Sequence, residues 1–289
     1  MVQVYYPIFS TTWMQFSFLD TVFYLCYNKE KVLGRLYMKE KIQTIPVNEA
    51  FDSGDECPFC YLEREVERRA IRYVLGPGAS YMEPEVRAAT DDAGFCRGHY
   101  QKMYDYGNAL GSALMMQTYY DRMMEELSKQ LEDFEMPDKR PLLSIRKQKE
   151  TKLPLVEWLQ KKQDSCYICN RIEENQKRYF ATFFVLIKEQ EFREKVEKSK
   201  GFCLRHFGQL LDHAREDLPN NQRQWFYETV MELMKTHINR VKEDIDWFVQ
   251  KHDYRASGAP WKNAMDAVPR GMQKLWGGHP SDKPYKTDF

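Results

Sequence analysis

One four-ligand pattern, used twice, limits what this chain can fold into. Cys57-Pro-Phe-Cys60 is separated by 35 residues from Cys96-Arg-Gly-His99, and Cys166-Tyr-Ile-Cys169 by 33 residues from Cys203-Leu-Arg-His206. The pattern takes six of the seven cysteines and two of the six histidines. Thiolate and imidazole are the ligands zinc prefers, and a structural zinc site fills all four tetrahedral positions with protein groups. Cys-x-x-Cys lets one tight turn aim two sulfurs at one ion. Cys-x-x-His at i, i+3 on a helix puts both groups on one face. Cys60 and Cys169 fall where a helix would begin, so the helix dipole favours their thiolate forms, and Pro58 suits a first helical turn. The spacing predicts two Cys3His sites, zinc first, in an all-α duplicated fold. The first unit supplies Cys57, Cys60, Cys96 and His99; the second supplies Cys166, Cys169, Cys203 and His206.

Three other readings of the same residues stay open. Cys57-Pro-Phe-Cys60 alone resembles the glutaredoxin redox motif, but that motif follows a strand in a βαβ unit, and here it precedes helical pattern. Three thiolates and a histidine can also hold an iron–sulfur cluster. The third is a cross-brace, in which Cys57 and Cys60 meet Cys203 and His206 of the other unit. Pairing within each unit is the simpler arrangement.

The hydrophobic pattern is helical almost throughout. Leu62, Val66, Ala70 and Val74 recur at i, i+4, which marks one helix face, and Gly76-Pro77-Gly78 ends it. A short helix is expected from about Met82 to Gly94, then a long one opened by Cys96-x-x-His99 and running to about Leu131. The second unit repeats the plan: a helix over Ile172–Ile187, a short one over Glu189–Lys198, and a long one over Asn221–Lys251. In that last helix, residues such as Trp225, Phe226, Val230, Leu233, Ile238 and Val241 should face inward. No alternating strand pair or Asn-Gly hairpin stands out. The expected divisions are an extension over 1–37, a first repeat over 38–135, a linker over 136–155, a second repeat over 156–252 and a tail over 253–289. The halves should pack about a pseudo-twofold. Gly107-x-x-x-Gly111 reads as a close helix approach. The pairs Met115-Met116 and Met123-Met124 read as core filling.

Function classes can be thinned. Net charge is zero, with 43 basic and 43 acidic residues, whereas phosphate-backbone binding normally brings a basic excess. The basic stretch Arg146–Lys152 reads as a solvated linker. There is no His-Glu-x-x-His, Gly-x-Ser-x-Gly or phosphate-binding glycine loop. Four protein ligands per site leave no open position for catalysis. His213, His237, His252 and His279 read as ordinary helix or tail residues, and the Tyr254, Trp261 and Arg270 group as a tail stapled to its own bundle. No enzyme is expected. Free thiols in this spacing suit a reducing compartment, so the expected location is the cytoplasm.

Residues 1–37 differ from the rest, being rich in aromatic and β-branched residues. They lack the basic region of a secretory signal and interrupt their apolar run too early to span a bilayer. Gly34-Arg35-Leu36-Tyr37 can be encoded by a purine-rich, ribosome-binding-like sequence, and Met38-Lys-Glu-Lys-Ile is an ordinary bacterial start. The expectation is that translation begins at Met38.

The run from Met38 to Phe51 and then Glu56-Cys57-Pro-Phe-Cys60 resembles the start of an uncharacterised bacterial family, common in Firmicutes and known only as a domain of unknown function. Met82-Glu-Pro-Glu-Val-Arg87, Gly94-Phe-Cys96-Arg-Gly-His99, Gly201-Phe-Cys203-Leu-Arg-His206, Asp253-Tyr-Arg255 and Pro269-Arg270 resemble its other marks. The resemblance covers about Met38 to Gly277 and implies a cytosolic protein with both Cys/His sets; no activity comes with it. The expected role is a non-catalytic, zinc-stabilised adaptor or regulator with a protein partner of unknown identity. A thiol-based redox or metal-sensing switch is the alternative, and nucleic-acid binding comes third.

Overall fold

Helix limits follow the proline and glycine punctuation of the sequence. In the computed structural model, which describes residues 44–136 and 153–278 apart from 257, every regular element is helical. The elements are α1 (44–52), α2 (Pro58–Leu75), α3 (Pro84–Ala93), α4 (Arg97–Tyr106), α5 (Ala109–Glu132), α6 (Pro154–Asp164), α7 (Tyr167–Leu186), α8 (Gln190–Lys198), α9 (Leu204–Asp217), α10 (Asn220–Lys251) and α11 (Ala267–Trp276). Proline opens α2, α3 and α6, where its missing N–H costs nothing. Gly94 ends α3 at φ +61, in the half of backbone space that favours glycine.

The all-α expectation holds among the described residues, and the helices after both Cys-x-x-Cys motifs fall where the periodicity placed them. The single long helix expected after Cys96 is instead broken into α4 and α5. Gly107 takes a left-handed conformation (φ +90) that stops α4. Asn108 then caps α5: its Oδ1 accepts from the Gly111 N–H at 2.9 Å, while its Nδ2 donates to the Leu75 carbonyl at 2.8 Å. Gly107 therefore serves as a stop and has open space around it; only Gly111 packs tightly, with Tyr81 3.0 Å from where a Cβ would sit. Other inward expectations also need correcting. Ile238 is exposed, and of the four paired methionines Met115 is buried while Met116 and Met124 face solvent. Periodicity marks an apolar face but not whether another element covers it. Helix α6 begins inside the expected linker, and most of that linker, like the 1–37 extension and His279, lies outside the described residues.

Helices α2 and α7 form the central pair. Phe59 near the start of α2 lies 4.4 Å, centroid to centroid, from Phe180 late in α7. Tyr73 late in α2 meets Arg171 near the start of α7. The two therefore run antiparallel. The described residues from Pro46 onward make one compact unit with two apolar cores. The larger joins α1, α2, α7, α8, α9 and α10 around Phe51, Phe59, Phe183, Phe202 and Phe226. The smaller gathers Ile71, Val74 and Leu75 of α2 with Met103, Met115 and Ile168. The tail is stapled back as expected, with Trp261 against Phe248 and His252 and Arg270 bonded to Asp244 at 2.9 Å, though Tyr254 stays exposed.

Phe183 is fully buried, with five phenyl rings within 6.3 Å. Replacing it with alanine should cost about 3–5 kcal/mol of stability through lost burial and the cavity left behind. Urea unfolding followed by circular dichroism measures this, and a loss below about 1 kcal/mol would show a core that collapses freely.

Candidate metal centres

Each of the four motifs does the same local job. Cys57, Cys96, Cys166 and Cys203 are the extended N-cap residues of α2, α4, α7 and α9. The second member of each motif, Cys60, His99, Cys169 or His206, sits at the third helical position. An N-cap side chain turns back over the first turn, where unpaired backbone N–H groups and the positive end of the helix dipole lie. At α9 the Cys203 sulfur accepts from the His206 N–H at 3.4 Å.

The helix starts meet in pairs, and the pairing crosses the two expected repeats. Cys57 and Cys60 of α2 meet Cys203 and His206 of α9; Cys96 and His99 of α4 meet Cys166 and Cys169 of α7. All eight expected residues are thus brought together, but the simpler expectation of one self-contained set per unit gives way to the cross-brace. The cause is the antiparallel α2–α7 pair, which carries the start of each helix past the middle of the other.

In each set the four ligand atoms lie within 4.8 Å of one another. In the first centre the His206 Nδ1 is 3.3, 3.4 and 3.3 Å from the Cys57, Cys60 and Cys203 sulfurs, and Cys60 and Cys203 are 3.6 Å apart. In the second, His99 Nδ1 is 3.2, 3.2 and 3.4 Å from Cys96, Cys166 and Cys169, and Cys96 and Cys169 are 3.8 Å apart. A tetrahedral ion with metal–sulfur bonds of about 2.3 Å and metal–nitrogen bonds of about 2.0 Å has edges of about 3.8 Å (S to S) and about 3.5 Å (S to N). The ligand atoms therefore already stand near the corners of such a tetrahedron. They are far from the roughly 2.05 Å of a disulfide, and all six cysteines are free.

Helix α2 also carries the residues that orient both histidines. Glu63 Oε1 lies 3.3 Å from His206 Nε2, and Glu67 Oε1, one turn on, lies 3.0 Å from His99 Nε2. A carboxylate on the outer nitrogen fixes the tautomer, leaves Nδ1 facing the sulfurs and raises the basicity of the ring. Arg205 pairs with Glu63, and Lys102 Nζ lies 2.6 Å from both Glu67 oxygens. These partners had no sequence signal beyond being acidic residues on a helix.

Charge in each pocket is frustrated without a cation. Three thiolates about 4 Å apart repel by about 4 kcal/mol per pair at an effective dielectric near 20. With protons alone the sulfurs split. Hydrogen bonds from Cys57 and Cys60 hold Cys203 far below the usual thiol range, while the bond to Cys203 pushes Cys60 far above it. In the second centre the bond from Cys169 takes Cys166 down to about 3, and Cys169 is driven up in return. Burial opposes a charged imidazole, but Cys203, Cys57 and Glu63 outweigh it and raise His206 to about 11; Cys166 and Glu67 likewise raise His99 to about 10. A bound divalent cation would take the place of these protons.

The centres differ in enclosure. All four ligands of the first are buried inside the aromatic core, with Phe59 5.8 Å from the His206 ring. The second lies at the edge of the smaller core, and Cys169 reaches solvent. The first is also braced from behind. The buried Lys274 of α11 donates to the carbonyls of Glu56 and Lys200, the residues leading into its two ligand turns, and lies 3.4 Å from the Glu56 carboxylate. Burial pulls the Lys274 pKa below its ordinary value, with Glu56 opposing.

Residues 38–282 match the model of a family of unknown function, DUF6062. No curated protein and no solved structure matches the chain. The matched span takes in α1 to α11 and all eight ligand residues, so the two centres lie within the shared domain. The chain belongs to the DUF6062 family, a family of unknown function.

Proposed function

We propose that this protein is a non-catalytic, zinc-stabilised helical adaptor or regulator, in which two structural ions tie sequence-distant helices together. The observation that carries this reading is the near-tetrahedral placement of three sulfurs and one Nδ1 in each set. Zinc matches that donor set and the four-coordinate geometry. An iron–sulfur cluster spreads its ligands over several irons, which needs them further apart than around a single ion. With every ligand position filled by protein, zinc would contribute folding energy rather than an open Lewis-acid site. A reducing cytoplasm, where thiols stay free, suits such a protein. No described helix is long and apolar enough to cross a membrane.

Metal content of the chain purified without added metal, read by elemental analysis beside an absorption spectrum, tests the proposal. Two zinc ions per chain and no visible absorbance are expected. Chelation should then lower helicity and the melting temperature, because the ligand turns lose what joins them. Iron with sulfide, or melting unchanged after complete chelation, overturns the reading.

The carboxylates on α2 give a finer test. Glu67→Gln keeps the side-chain shape and should weaken zinc binding at the second centre about 10- to 100-fold, leaving the first unchanged. Competition with a chromophoric chelator reads both steps in one titration, and equal affinities in parent and variant would remove Glu67 from the site.

One observation favours the alternative of a redox or metal-releasing switch: Cys169 is less enclosed than any ligand of the first centre. Hydrogen peroxide oxidises two thiolates to a disulfide and is itself reduced to water, which would free the ion they hold. Mild peroxide should release about one zinc per chain from the second centre, reversibly with a thiol reductant. Retention of both ions under those conditions leaves the purely structural reading.

A further inference from the structure

A groove of about 460 Å³ runs along the seam between α2 and α7. Three guanidiniums line it: Arg69 from α2, and Arg171 and Arg178 from α7. Several arginines elsewhere are tied closely to carboxylates, as Arg270 is to Asp244 and Asp266. Here the pairing is weaker. Arg178 has no ion pair among the described residues. Arg69 has only a 3.8 Å contact with Glu65, which is hydrogen-bonded to Arg68. Arg171 spends one donor on the Tyr167 hydroxyl at 2.9 Å and lies over the Tyr73 and Tyr167 rings at 5.2 Å, a stacking that fixes its plane.

A second observation points the same way. Tyr179 lines the groove as well, and its hydroxyl makes no hydrogen bond among the described residues, so it is free to donate to a ligand there. It sits in the field of Arg69 and Arg178, with Glu65 opposing them. Three guanidiniums stand against the carboxylate of Glu174 and the more distant Glu65, which leaves the groove a positive excess suited to a phosphate group. The groove also exceeds what one inorganic phosphate fills. The rest of its lining combines Asn175 with the apolar Val66 and Ala70 and the half-exposed ring of Tyr73. Ligand pockets commonly span about 300–1,000 Å³ and combine such a wall with a few convergent polar groups.

We infer that the α2–α7 groove binds a phosphate-bearing small molecule, with Arg69, Arg171 and Arg178 clamping the phosphate, the Tyr179 hydroxyl donating to it, and the organic part lying against Val66, Ala70 and Tyr73. Guanidinium forks match phosphate oxygens in geometry as well as charge, so arginine suits this task better than lysine. The groove lies over the helix pair that joins the two metal centres, and the inference does not depend on which metal they hold.

The test uses the full chain with its native metal, titrated at low salt with adenosine monophosphate, inorganic phosphate and adenosine, by calorimetry and by phosphorus NMR line width. Adenosine monophosphate should bind once per chain, inorganic phosphate should compete with it, and adenosine should not bind. Tighter binding of the nucleotide than of phosphate assigns an organic phosphate as ligand; equal binding assigns the free anion. Arg178→Gln removes a side chain that holds nothing else, so it should weaken binding about tenfold while melting temperature and metal content stay at parent values. Tyr179→Phe should weaken it by a smaller factor, again without loss of metal. The inference is overturned if neither phosphate compound binds at millimolar concentration. Adenosine binding as tightly as its monophosphate overturns it too, as do Arg178→Gln and Tyr179→Phe variants that bind like the parent.

Discussion

Repulsion among three closely held sulfurs is the constraint around which the rest of this fold is arranged. Three thiolates about 4 Å apart would cost about 12 kcal/mol in mutual repulsion, comparable with the whole net stability of a domain at about 5–15 kcal/mol. The fold supplies positive ends to meet it. Every motif begins at a helix N-cap, so four helix starts converge in pairs, α2 with α9 and α4 with α7. Each brings the positive end of a dipole to the sulfurs. Partial charges of that size soften the repulsion without cancelling it, and a divalent cation at the middle of each set would complete the balance.

The crossing of ligands between units follows from the same geometry. Each centre joins one helix of the central pair to the helix that opens at the other unit's Cys-x-x-His, so α9 is tied to α2 and α4 to α7. Ions placed this way would resist separation of the joined helices, whereas sites closed within each expected repeat would leave the α2–α7 seam to apolar packing alone. Helix α2 bears more of this load than α7. It contributes two ligands to the first centre and a histidine-orienting carboxylate to each, from Glu63 and Glu67 a single turn apart. Spacing i, i+4 puts both on one face, which lets one helix set the tautomer of both imidazoles.

Much of this was legible in the sequence, and the failures have particular causes. The eight ligands, the helical class and the helices after Cys60 and Cys169 follow from spacing and periodicity, which are local. The pairing of ligand sets is not local: spacings of 35 and 33 residues are equally compatible with either partner, and only the antiparallel course of α2 and α7 decides. The break at Gly107-Asn108 was written in a left-handed glycine followed by a capping asparagine, but the neighbouring apolar residues keep a helical period across it. The Glu63 and Glu67 roles depend on which helix passes each imidazole, so no pattern within α2 separates them from its solvent-facing acids. The groove arginines are hidden for a similar reason, since Arg69 lies 102 positions from Arg171 in the chain and reads there as one more charge on an amphipathic face.

The two centres cannot be doing equal structural work. Around the first, the protein holds the ligand turns by other means: Phe59 and Phe202 pack beside them, and Lys274 bonds the carbonyls that lead into both. Glu56, almost fully buried, is met by Arg240 and Lys274, and Arg240 and Arg270 go on to Asp244, which ties α10 and α11 to the same turns. A buried charge network of this kind is costly to break from one side, so the first pocket keeps its shape largely through protein contacts. The second has fewer such supports. Its Tyr167 N–H bonds the Gly94 carbonyl at 2.9 Å and Phe95 packs on Tyr167, but Cys169 is exposed, and the lysine behind it, Lys102, reaches Glu67 rather than the carbonyls of the ligand turns. Both sets already stand near tetrahedral geometry, but an ion in the first centre would fill a pocket held by more protein contacts than the second. Affinity rises with preorganisation, so the enclosed centre should be the tighter one and the open centre the one whose occupancy the surroundings can change.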